Sequence, residues 1–371
     1  MKNKIKIAII IGTRPEIIKT APIIRECQKK KVNFFVLHTG QHYSRNMDEI
    51  FFKELNIPSP KYNLNIGSQP YRKQVGIMVR EITGVLLKEK PNLVVVQGDT
   101  ISVLAGALAA TKLGIKIAHH ESGLRSHDTA MLEEVIRVLV DHISDLLMAP
   151  TLEAVKNLRE EGKESSKIFL TGNTIVDALM QGLEISSHKD GIIKKAGLKK
   201  GEYFLVTCHR AEVVDNKEKL KDILNGLSLV YEELKIPLLF PIHPRTTNRI
   251  KEFGLKVPDG LILVQPMGFL EFLQLEKNAR LILTDSGGVQ EEAFILGIPC
   301  VTMRDNTERP ETLKYGMNIL TKISPQGILK AVQKMMVKKK SAFCANNFLG
   351  DGTAAKKIME VILKELDTDK E

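Results

Sequence analysis

Two stretches of the chain repeat one pattern, in which a short apolar, mostly β-branched run is followed by a segment with apolar residues at helical spacing. Continuous apolar strands that alternate with helices are typical of a parallel sheet covered by helices on both faces. The pattern starts near the first residues and starts again near residue 203, and 371 residues are enough for two such domains. The predicted strands are residues 5–11, 33–38, 93–97 and 115–119, then 203–208, 237–243, 261–265, 281–284 and 298–303.

The sequence therefore predicts an α/β protein of two Rossmann-like domains. The seam between them is expected near the stretch TGNTIVDAL, which gives a first domain over 1–170 and a second over 171–350. The last segment, 351–371, contains apolar residues at helical spacing and is predicted to form a closing helix.

The net charge of +10 favours an anionic partner, which can be a nucleic acid, an anionic lipid or a phosphorylated small molecule. The chain has no tryptophan and only 5% aromatic residues, so a stacking platform for single-stranded nucleic acid is not expected. Its apolar runs are far shorter than the roughly 20 residues that span a bilayer. We expect a protein without a nucleic-acid or membrane partner.

The cysteines and the N-terminus indicate the cytoplasm. Cys27, Cys208, Cys300 and Cys344 have no CxxC spacing, which is typical of reduced thiols in a cytosolic protein. The first apolar run is only about seven residues long and leads into a Gly-Thr-Arg-Pro turn, so it reads as a first strand and not as a signal peptide.

Polar residues collect where the predicted strands end. In open parallel sheets, ligands bind beyond the carboxyl ends of the strands, so these residues are the candidate site. In the first half they are Gly12 to Glu16 with Lys19, Gly98 to Thr100, and His120 to Gly123; in the second half they are His209 with Arg210, His243 to Arg245, and Asp285 to Gly288.

The stretch TDSGGVQEE, residues 284–292, suggests a nucleotide site. Glycines at a helix start let a phosphate approach unpaired N–H groups, and a carboxylate further along can accept hydrogen bonds from ribose hydroxyls. The stretch predicts a phosphate on Ser286, Gly287 and Gly288, with ribose on Glu291 or Glu292. The alternative is a turn softened by glycine before a solvated acidic helix start.

Structural interpretations exist for the other candidates too. Asp99 can cap the helix that follows it. Glu133 and Glu134 can form a solvated helix face, with Arg137 paired to Glu133 at i, i+4. Arg14 and Lys19 can belong to an exposed helix start.

Several cofactor classes lack their motifs. The stretch HHESGLRSH has Leu124 where a helical HExxH zinc motif needs a histidine, so no metal site is expected. A Walker lysine and a complete GxGxxG after the first strand are both missing, which disfavours ATP and NAD.

Taken together, the motifs closely resemble the non-hydrolysing UDP-N-acetylglucosamine 2-epimerases, from about Lys4 to the closing helix. The resemblance implies two domains that face each other across a cleft, a fold of the glycosyltransferase-B type. It also implies a cytoplasmic homodimer of cell-surface polysaccharide biosynthesis that interconverts UDP-N-acetylglucosamine and UDP-N-acetylmannosamine without a cofactor. The motifs are GTRPEIIKTAP, QGDT, ESGLR, EE with Arg137, HRAE, PIH and DSGGVQEEAFILGIPCVTMRDNTERPE.

The resemblance assigns roles residue by residue. It implies that UDP leaves carbon 1 by anti-elimination, with 2-acetamidoglucal as the intermediate. Glu291 is left as a structural neighbour, and Glu134 is expected to tolerate change to glutamine. The implied catalytic residues are Asp99, Glu121, Glu133 and His209; the UDP ligands are Arg14, Lys19, His209, Phe272, Ser286, Gly287, Gly288, Glu292 and Arg309; a second UDP-N-acetylglucosamine, acting as an allosteric activator, maps to Gln41, Gln69, Arg210 and His243.

The chain departs from the family pattern at a few positions. Leu132 and Ile136 stand where the family motif PEExNR has proline and asparagine, Val213 replaces the asparagine of HRxEN, and Ser122 replaces alanine. Three alternatives stay open at this point: a hydrolysing relative that releases N-acetylmannosamine, a glycosyltransferase of the same fold, and a nucleic-acid-binding protein.

Overall fold

The computed structural model describes residues 5–41, 45–67, 70–187, 191–307, 309–338 and 348–368. These residues form two compact units. The first consists of Met1–Gln181 with Asn347–Glu371, and the second of Gly182–Asn346.

The strands and helices alternate along the chain, as the repeated pattern predicts. The strands are β1 (Lys6–Ile11), β2 (Asn33–His38), β3 (Tyr62–Asn63), β4 (Leu93–Gln97), β5 (Lys116–His120), β6 (Leu146–Ala149), β7 (Ile168–Leu170), β8 (Phe204–Thr207), β9 (Leu238–Pro241), β10 (Leu261–Val264), β11 (Leu281–Thr284), β12 (Cys300–Thr302) and β13 (Asn318–Leu320).

The helices cover the sheets. They are α1 (Arg14–Lys29), α2 (Arg45–Glu54), α3 (Tyr71–Glu89), α4 (Ile101–Lys112), α5 (Leu132–Ile143), α6 (Leu152–Glu160), α7 (Thr174–Ile185), α8 (Gly191–Lys195), α9 (Ala211–Val214), α10 (Lys217–Leu234), α11 (Pro244–Glu252), α12 (Phe269–Asn278), α13 (Gly287–Leu296), α14 (Pro310–Lys314), α15 (Pro325–Met336) and α16 (Ala354–Thr368), with a 3₁₀ turn at Ser165–Lys167. Among the described helices, none is both long and apolar enough to cross a bilayer.

Each unit has one parallel sheet. In the first unit the strand order is β3-β2-β1-β4-β5-β6-β7, and in the second it is β10-β9-β8-β11-β12-β13. Both orders reverse direction between two central strands, β1 and β4 in the first unit and β8 and β11 in the second, which is the Rossmann arrangement. The predicted fold class of two Rossmann-like α/β domains is confirmed.

The central strands are buried on both faces, which explains their continuous apolar sequences. Residues 7–11 of β1 and 93–97 of β4 are all buried. Helices α3, α4 and α5 pack a core against one face of the first sheet, and the second sheet has a core on each face. Burial on both faces leaves only the strand ends free to present polar groups.

The division between the units falls within α7, later in the chain than the boundary at 170 that the sequence suggests. Asp177 of α7 accepts hydrogen bonds from the backbone N–H groups of Ala354 (3.2 Å) and Ala355 (3.0 Å), at the start of α16. The N–H of Asn173 also donates to the carbonyl of Leu349. Because of these contacts, α16 belongs to the first unit, although it follows the second in sequence.

Cys27, Cys208 and Cys300 are buried free thiols, as the lack of paired spacing suggests. Burial raises the pKa of the Cys27 thiol to about 12, and burial likewise raises that of Cys300 to about 12. Cys344 lies outside the described residues.

Candidate functional site

Asp99 follows β4, at the point where the strand order of the first sheet reverses. Helix α4 is capped by the next residue, Thr100, whose hydroxyl accepts the N–H of Val103 at 3.4 Å. The carboxylate of Asp99 instead lies 2.9 Å from Nε and 2.6 Å from a terminal nitrogen of Arg137. The interpretation of Asp99 as a helix cap is therefore wrong, because the next residue has that role.

Arg137 belongs to α5 and connects Asp99 to a second acidic residue. Its other terminal nitrogen lies 2.6 Å from Glu134, a buried residue that also accepts the N–H groups of Ser126 and His127, each at 2.9 Å. Burial raises the pKa of Glu134, but these hydrogen bonds outweigh it and hold the pKa below 4.5.

This arrangement corrects one sequence interpretation of α5. Glu134 is buried and is not part of a solvated face, while its neighbour Glu133 is exposed. The partners of Arg137 are Glu134 and Asp99 rather than Glu133. The pairing was missed because α5 supplies only one of the two partners, and Asp99 is 38 residues away in sequence.

Glu121 lies after β5 in a left-handed backbone conformation, with φ of 68°. Its buried carboxylate lies 2.6 Å from Nζ of Lys19 and 2.9 Å from the amide of Asn173, and it also accepts from Gln97. A non-glycine residue with positive φ costs energy, and such residues concentrate at functional sites. Lys19 and Glu121, predicted separately, are thus brought together.

Glu16 connects the end of β1 to the end of β4. Its carboxylate accepts the backbone N–H groups of Gly12 and Thr13 and, at 2.5 Å, the hydroxyl of Thr100. Burial raises the pKa of this carboxyl from 4.5 to about 7. A Cβ atom at Gly12 would lie 1.9 Å from Oγ of Ser102, so this junction requires glycine.

Asp99 and Glu133 line one cavity of the first unit, about 540 Å³ in volume, together with Arg14. Gln41 also lines this cavity and accepts hydrogen bonds from the backbone and side chain of Ser102 (3.3 and 2.8 Å). The cavity thus places carboxylates beside a cation, which suits proton transfer next to developing negative charge. Gln69 lies outside the described residues.

In the second unit, His209 and Asp285 follow the two central strands, β8 and β11. The buried carboxylate of Asp285 accepts the backbone N–H groups of His209 (2.7 Å) and Arg210 (2.8 Å), and its other oxygen lies 3.3 Å from Nδ1 of His209. Burial raises the pKa of Asp285, but His209 and these N–H groups hold it below 3.8. The imidazole of His209 is about half exposed, and its ring centroid lies 6.2 Å from that of His243.

Helix α13 begins directly after Ser286, its N-cap residue, and its first two residues are glycines. A Cβ atom at Gly288 would meet no heavy atom nearer than 3.9 Å, so there is open space above this backbone. Unpaired N–H groups at a helix start beside open space can accommodate an anion.

Two pairs of residues flank this helix start. Nε of Arg309 lies 2.7 Å from the buried carboxylate of Glu291, so Glu291 is the partner of a predicted UDP ligand. Glu292 faces Glu276 of α12, and burial raises the pKa of Glu276 well above 4.5. Phe272, on the same helix, packs partly buried against the core.

Across the ranges that the structure describes, histidine, cysteine, aspartate and glutamate side chains form no group of three that can hold a metal ion.

The fold and the site define the class of protein: a two-domain α/β protein with a Rossmann-type sheet in each domain. In both sheets, polar residues lie at the point where the strand order reverses. Residues 25–363 match the family model described as UDP-N-acetylglucosamine 2-epimerase. The chain belongs to the UDP-N-acetylglucosamine 2-epimerase family, whose named members are isomerases, and the resemblance to this family is confirmed.

Curated relatives match almost the whole chain. The UDP-N-acetylglucosamine 2-epimerase of Methanocaldococcus jannaschii is 53% identical over 363 residues, which is 96% of this chain and 98% of that protein. The UDP-2,3-diacetamido-2,3-dideoxy-D-glucuronate 2-epimerase of Pseudomonas aeruginosa is 39% identical, over 97% of this chain and 99% of that protein.

A solved structure matches equally well. The crystal structure of the M. jannaschii enzyme in complex with UDP-GlcNAc and UDP has a TM-score of 0.87 and 53% identity, covering 97% of this chain and 100% of that one.

Proposed function

We propose that the chain interconverts UDP-N-acetylglucosamine and UDP-N-acetylmannosamine by eliminating and re-adding UDP. The observation that carries this proposal is the cavity of the first unit, where Asp99 and Glu133 lie beside Arg14. The substrate is supported by the 53% identical relative, which bears the name of this activity, and by its structure, which contains UDP-GlcNAc and UDP.

The chemistry explains why several carboxylates are needed. Carbon 2 of the sugar is not next to a carbonyl group, so its proton cannot be removed to give an enolate. Loss of this proton together with cleavage of the bond between carbon 1 and the UDP oxygen gives UDP and 2-acetamidoglucal. The return step forms the bond to carbon 1 again and adds a proton to carbon 2 on the opposite face, so a base and an acid are both required.

We assign proton transfer to Asp99, Glu121 and Glu133. Salt bridges to Arg137 and Lys19 hold the carboxylates of Asp99 and Glu121 in place, so both are positioned to accept a proton. Glu133 is exposed within the cavity, and no residue that the structure describes forms a salt bridge with it, so its carboxylate is accessible to a bound sugar.

UDP binding is assigned mainly to the second unit. The N–H groups at the start of α13 suit the diphosphate, with Arg309 and His209 as further hydrogen-bond donors. Glu292 is proposed to bind the ribose hydroxyls and Phe272 to lie beside the uracil. The remaining diphosphate ligands are Arg14 and Lys19, and the backbone ligands are Ser286, Gly287 and Gly288.

The regulatory and cellular assignments are proposed from the resemblance in the sequence motifs. Gln41, Gln69, Arg210 and His243 are proposed to bind a second UDP-N-acetylglucosamine as activator. We also propose a cytoplasmic homodimer that supplies cell-surface polysaccharide synthesis.

The test is incubation with UDP-N-acetylglucosamine in heavy water, followed by proton NMR of the hydrogen on carbon 2. We expect deuterium at carbon 2 in both UDP-sugars and UDP-N-acetylmannosamine as a product. Free N-acetylmannosamine as the only sugar product would identify a hydrolysing enzyme instead. Exchange in UDP-2,3-diacetamido-2,3-dideoxy-D-glucuronate but not in UDP-N-acetylglucosamine would reassign the sugar.

A further inference from the structure

Two adjacent histidines at the end of β5 have different surroundings. His120 accepts or donates a hydrogen bond with the hydroxyl of Thr174 at 2.9 Å, and burial lowers its pKa to about 4, so it is neutral at physiological pH. His119 is also fully buried, but Nδ1 lies 2.7 Å from a carboxylate oxygen of Asp141 and Nε2 lies 2.8 Å from the carbonyl oxygen of Gly98. A carbonyl and a carboxylate only accept, so each ring nitrogen of His119 must donate a proton.

The other contacts of Asp141 show that it is ionised. Its second oxygen accepts the N–H of Gly123 at 2.9 Å and a terminal nitrogen of Arg125 at 2.7 Å. Burial raises the pKa of Asp141, but His119, Arg125 and this N–H outweigh it and hold the pKa below 3.8. With both oxygens occupied by donors, Asp141 has no proton to give to His119.

The positive charge on the ring depends on its two acceptors, because the rest of the surroundings do not favour it. The strand neighbours of His119 in register are the apolar residues Val96 and Leu147. Among the described residues, the other titratable or charged groups nearby include Arg125, Glu161 and Lys163, which lie around Asp141. They also include His120 and Glu121, which follow in the chain, and Lys19, which pairs with Glu121.

Helix α5 connects the His119–Asp141 pair to the candidate active site. Glu133, Arg137 and Asp141 are spaced four residues apart, so they lie along one face of the helix. Arg137 binds the carboxylate of Asp99. Asp141 contacts the residue before Asp99 indirectly, because His119 lies between Asp141 and the carbonyl of Gly98. The helix thus holds the Gly98–Asp99 segment at two points and also carries Glu133.

We propose that His119 is a positioning residue that acts as a buried imidazolium, holding the Gly98–Asp99 segment against α5 and so fixing Asp99 relative to Glu133. Neutral imidazole has only one N–H, so it cannot keep both contacts. This inference rests on the proposed function, because it assumes that the two carboxylates act on the sugar.

The first experiment compares His119→Gln with His142→Gln. His142 is an exposed residue of α5 whose ring contacts only the carbonyl of Val138 among its described partners, so it is a matched control. We expect kcat for deuterium exchange at carbon 2 to fall about 10²-fold in His119→Gln, since a small misplacement of a catalytic group costs that much. UDP affinity is expected to stay within about twofold of the parent.

A purely structural role would lower the melting temperature of His119→Gln but leave kcat of the folded protein near the parent value. That result, or a change in KM and UDP affinity with unchanged kcat, would overturn the positioning role. If the parent itself shows no exchange, the proposed function fails first, and the second experiment still decides the charge state.

The second experiment uses the unaltered protein with ¹⁵N-labelled histidine. Both ring nitrogens of His119 are expected to carry protons at pH 7.5, whereas His120 shows one protonated and one bare nitrogen. The signals are assigned by their loss in His119→Gln or, if that variant does not fold, by their couplings to neighbouring residues. A bare nitrogen on His119 in the parent would contradict the proposal whatever the kinetics of the variant.

Discussion

The two units place their candidate residues at equivalent points of the same topology, but they hold them in different ways. In the first unit the carboxylates of Asp99 and Glu121, which follow the strands β4 and β5, are held by side chains from other elements, Arg137 and Lys19. In the second unit the strand-end carboxylate of Asp285 is held by backbone N–H groups, and the helix start at Gly287 offers more of them. Salt bridges position carboxylates for proton transfer, whereas backbone N–H groups at a helix start provide a fixed anion site, so the units suit different tasks.

The largest expected effect is that of Asp99→Asn. Because Thr100 is the helix cap, this change should leave stability nearly unaltered, yet turnover should fall on the order of 10³-fold, within the range for loss of a general acid or base. The measurement is kcat for carbon 2 exchange, beside the melting temperature and UDP affinity. Asp128→Asn, in an exposed loop, is the control. Turnover within about threefold of the parent would remove Asp99 from the catalytic group.

Glu16→Gln tests whether the first unit contains an acid held at a perturbed pKa. The pKa of Glu16 is about 7 in the folded protein, above 4.5, so its contribution to stability is full below pH 4.5 and is lost as pH rises through 7. The free energy of unfolding of the variant, relative to the parent, should therefore rise by roughly 3 kcal/mol from pH 4.5 to pH 8. Urea unfolding at several pH values measures this difference, and parallel curves for the two proteins would contradict it.

Glu134→Gln tests the side-chain network directly. The change removes one charged acceptor from Arg137 and from the N–H groups of Ser126 and His127, so turnover should fall about tenfold, with UDP affinity retained. The sequence alone suggested that this change is mild. Glu153→Gln, at an exposed position of α6, should behave like the parent. Equal turnover in both variants would show that Asp99 alone is enough to hold Arg137 in place.

The smallest effect is expected in the second unit, from Glu291→Gln. Arg309 would lose the charged partner that orients it, so UDP should bind roughly fivefold more weakly. Isothermal titration with UDP measures the change, and Glu218→Gln, on the exposed face of α10, is the control. Unchanged affinity would mean that Arg309 is oriented without Glu291 or is not a UDP ligand.

The sequence predicted the alternating elements and the location of the polar residues well. Strands β2, β4 and β11 have the predicted bounds, 33–38, 93–97 and 281–284, because their continuous apolar runs are local signals. Strand ends were predictable for the same reason, since a buried strand ends where its apolar run ends.

What the sequence did not reveal depends on contacts between distant residues. The pairing of Arg137 with Asp99, that of Arg309 with Glu291 and the docking of α16 on Asp177 each join segments that no local pattern relates. The burial of Glu134 was missed because a glutamate at a helix start usually faces solvent. The two hydrogen-bond acceptors of His119, Asp141 and Gly98, were not predicted either, because both are more than 20 residues away in sequence. Its neighbour His120 was among the predicted polar residues at the strand end.

The central claim is that the carboxylates of the first unit act on the sugar and do not hold the nucleotide. It is tested most directly by the UDP affinity and carbon 2 exchange of one variant that combines Asp99→Asn, Glu121→Gln and Glu133→Gln. We predict no detectable exchange and UDP binding equal to or tighter than that of the parent, because negative charge near an anion is removed. Loss of UDP affinity by more than about tenfold alongside the loss of exchange would contradict the claim.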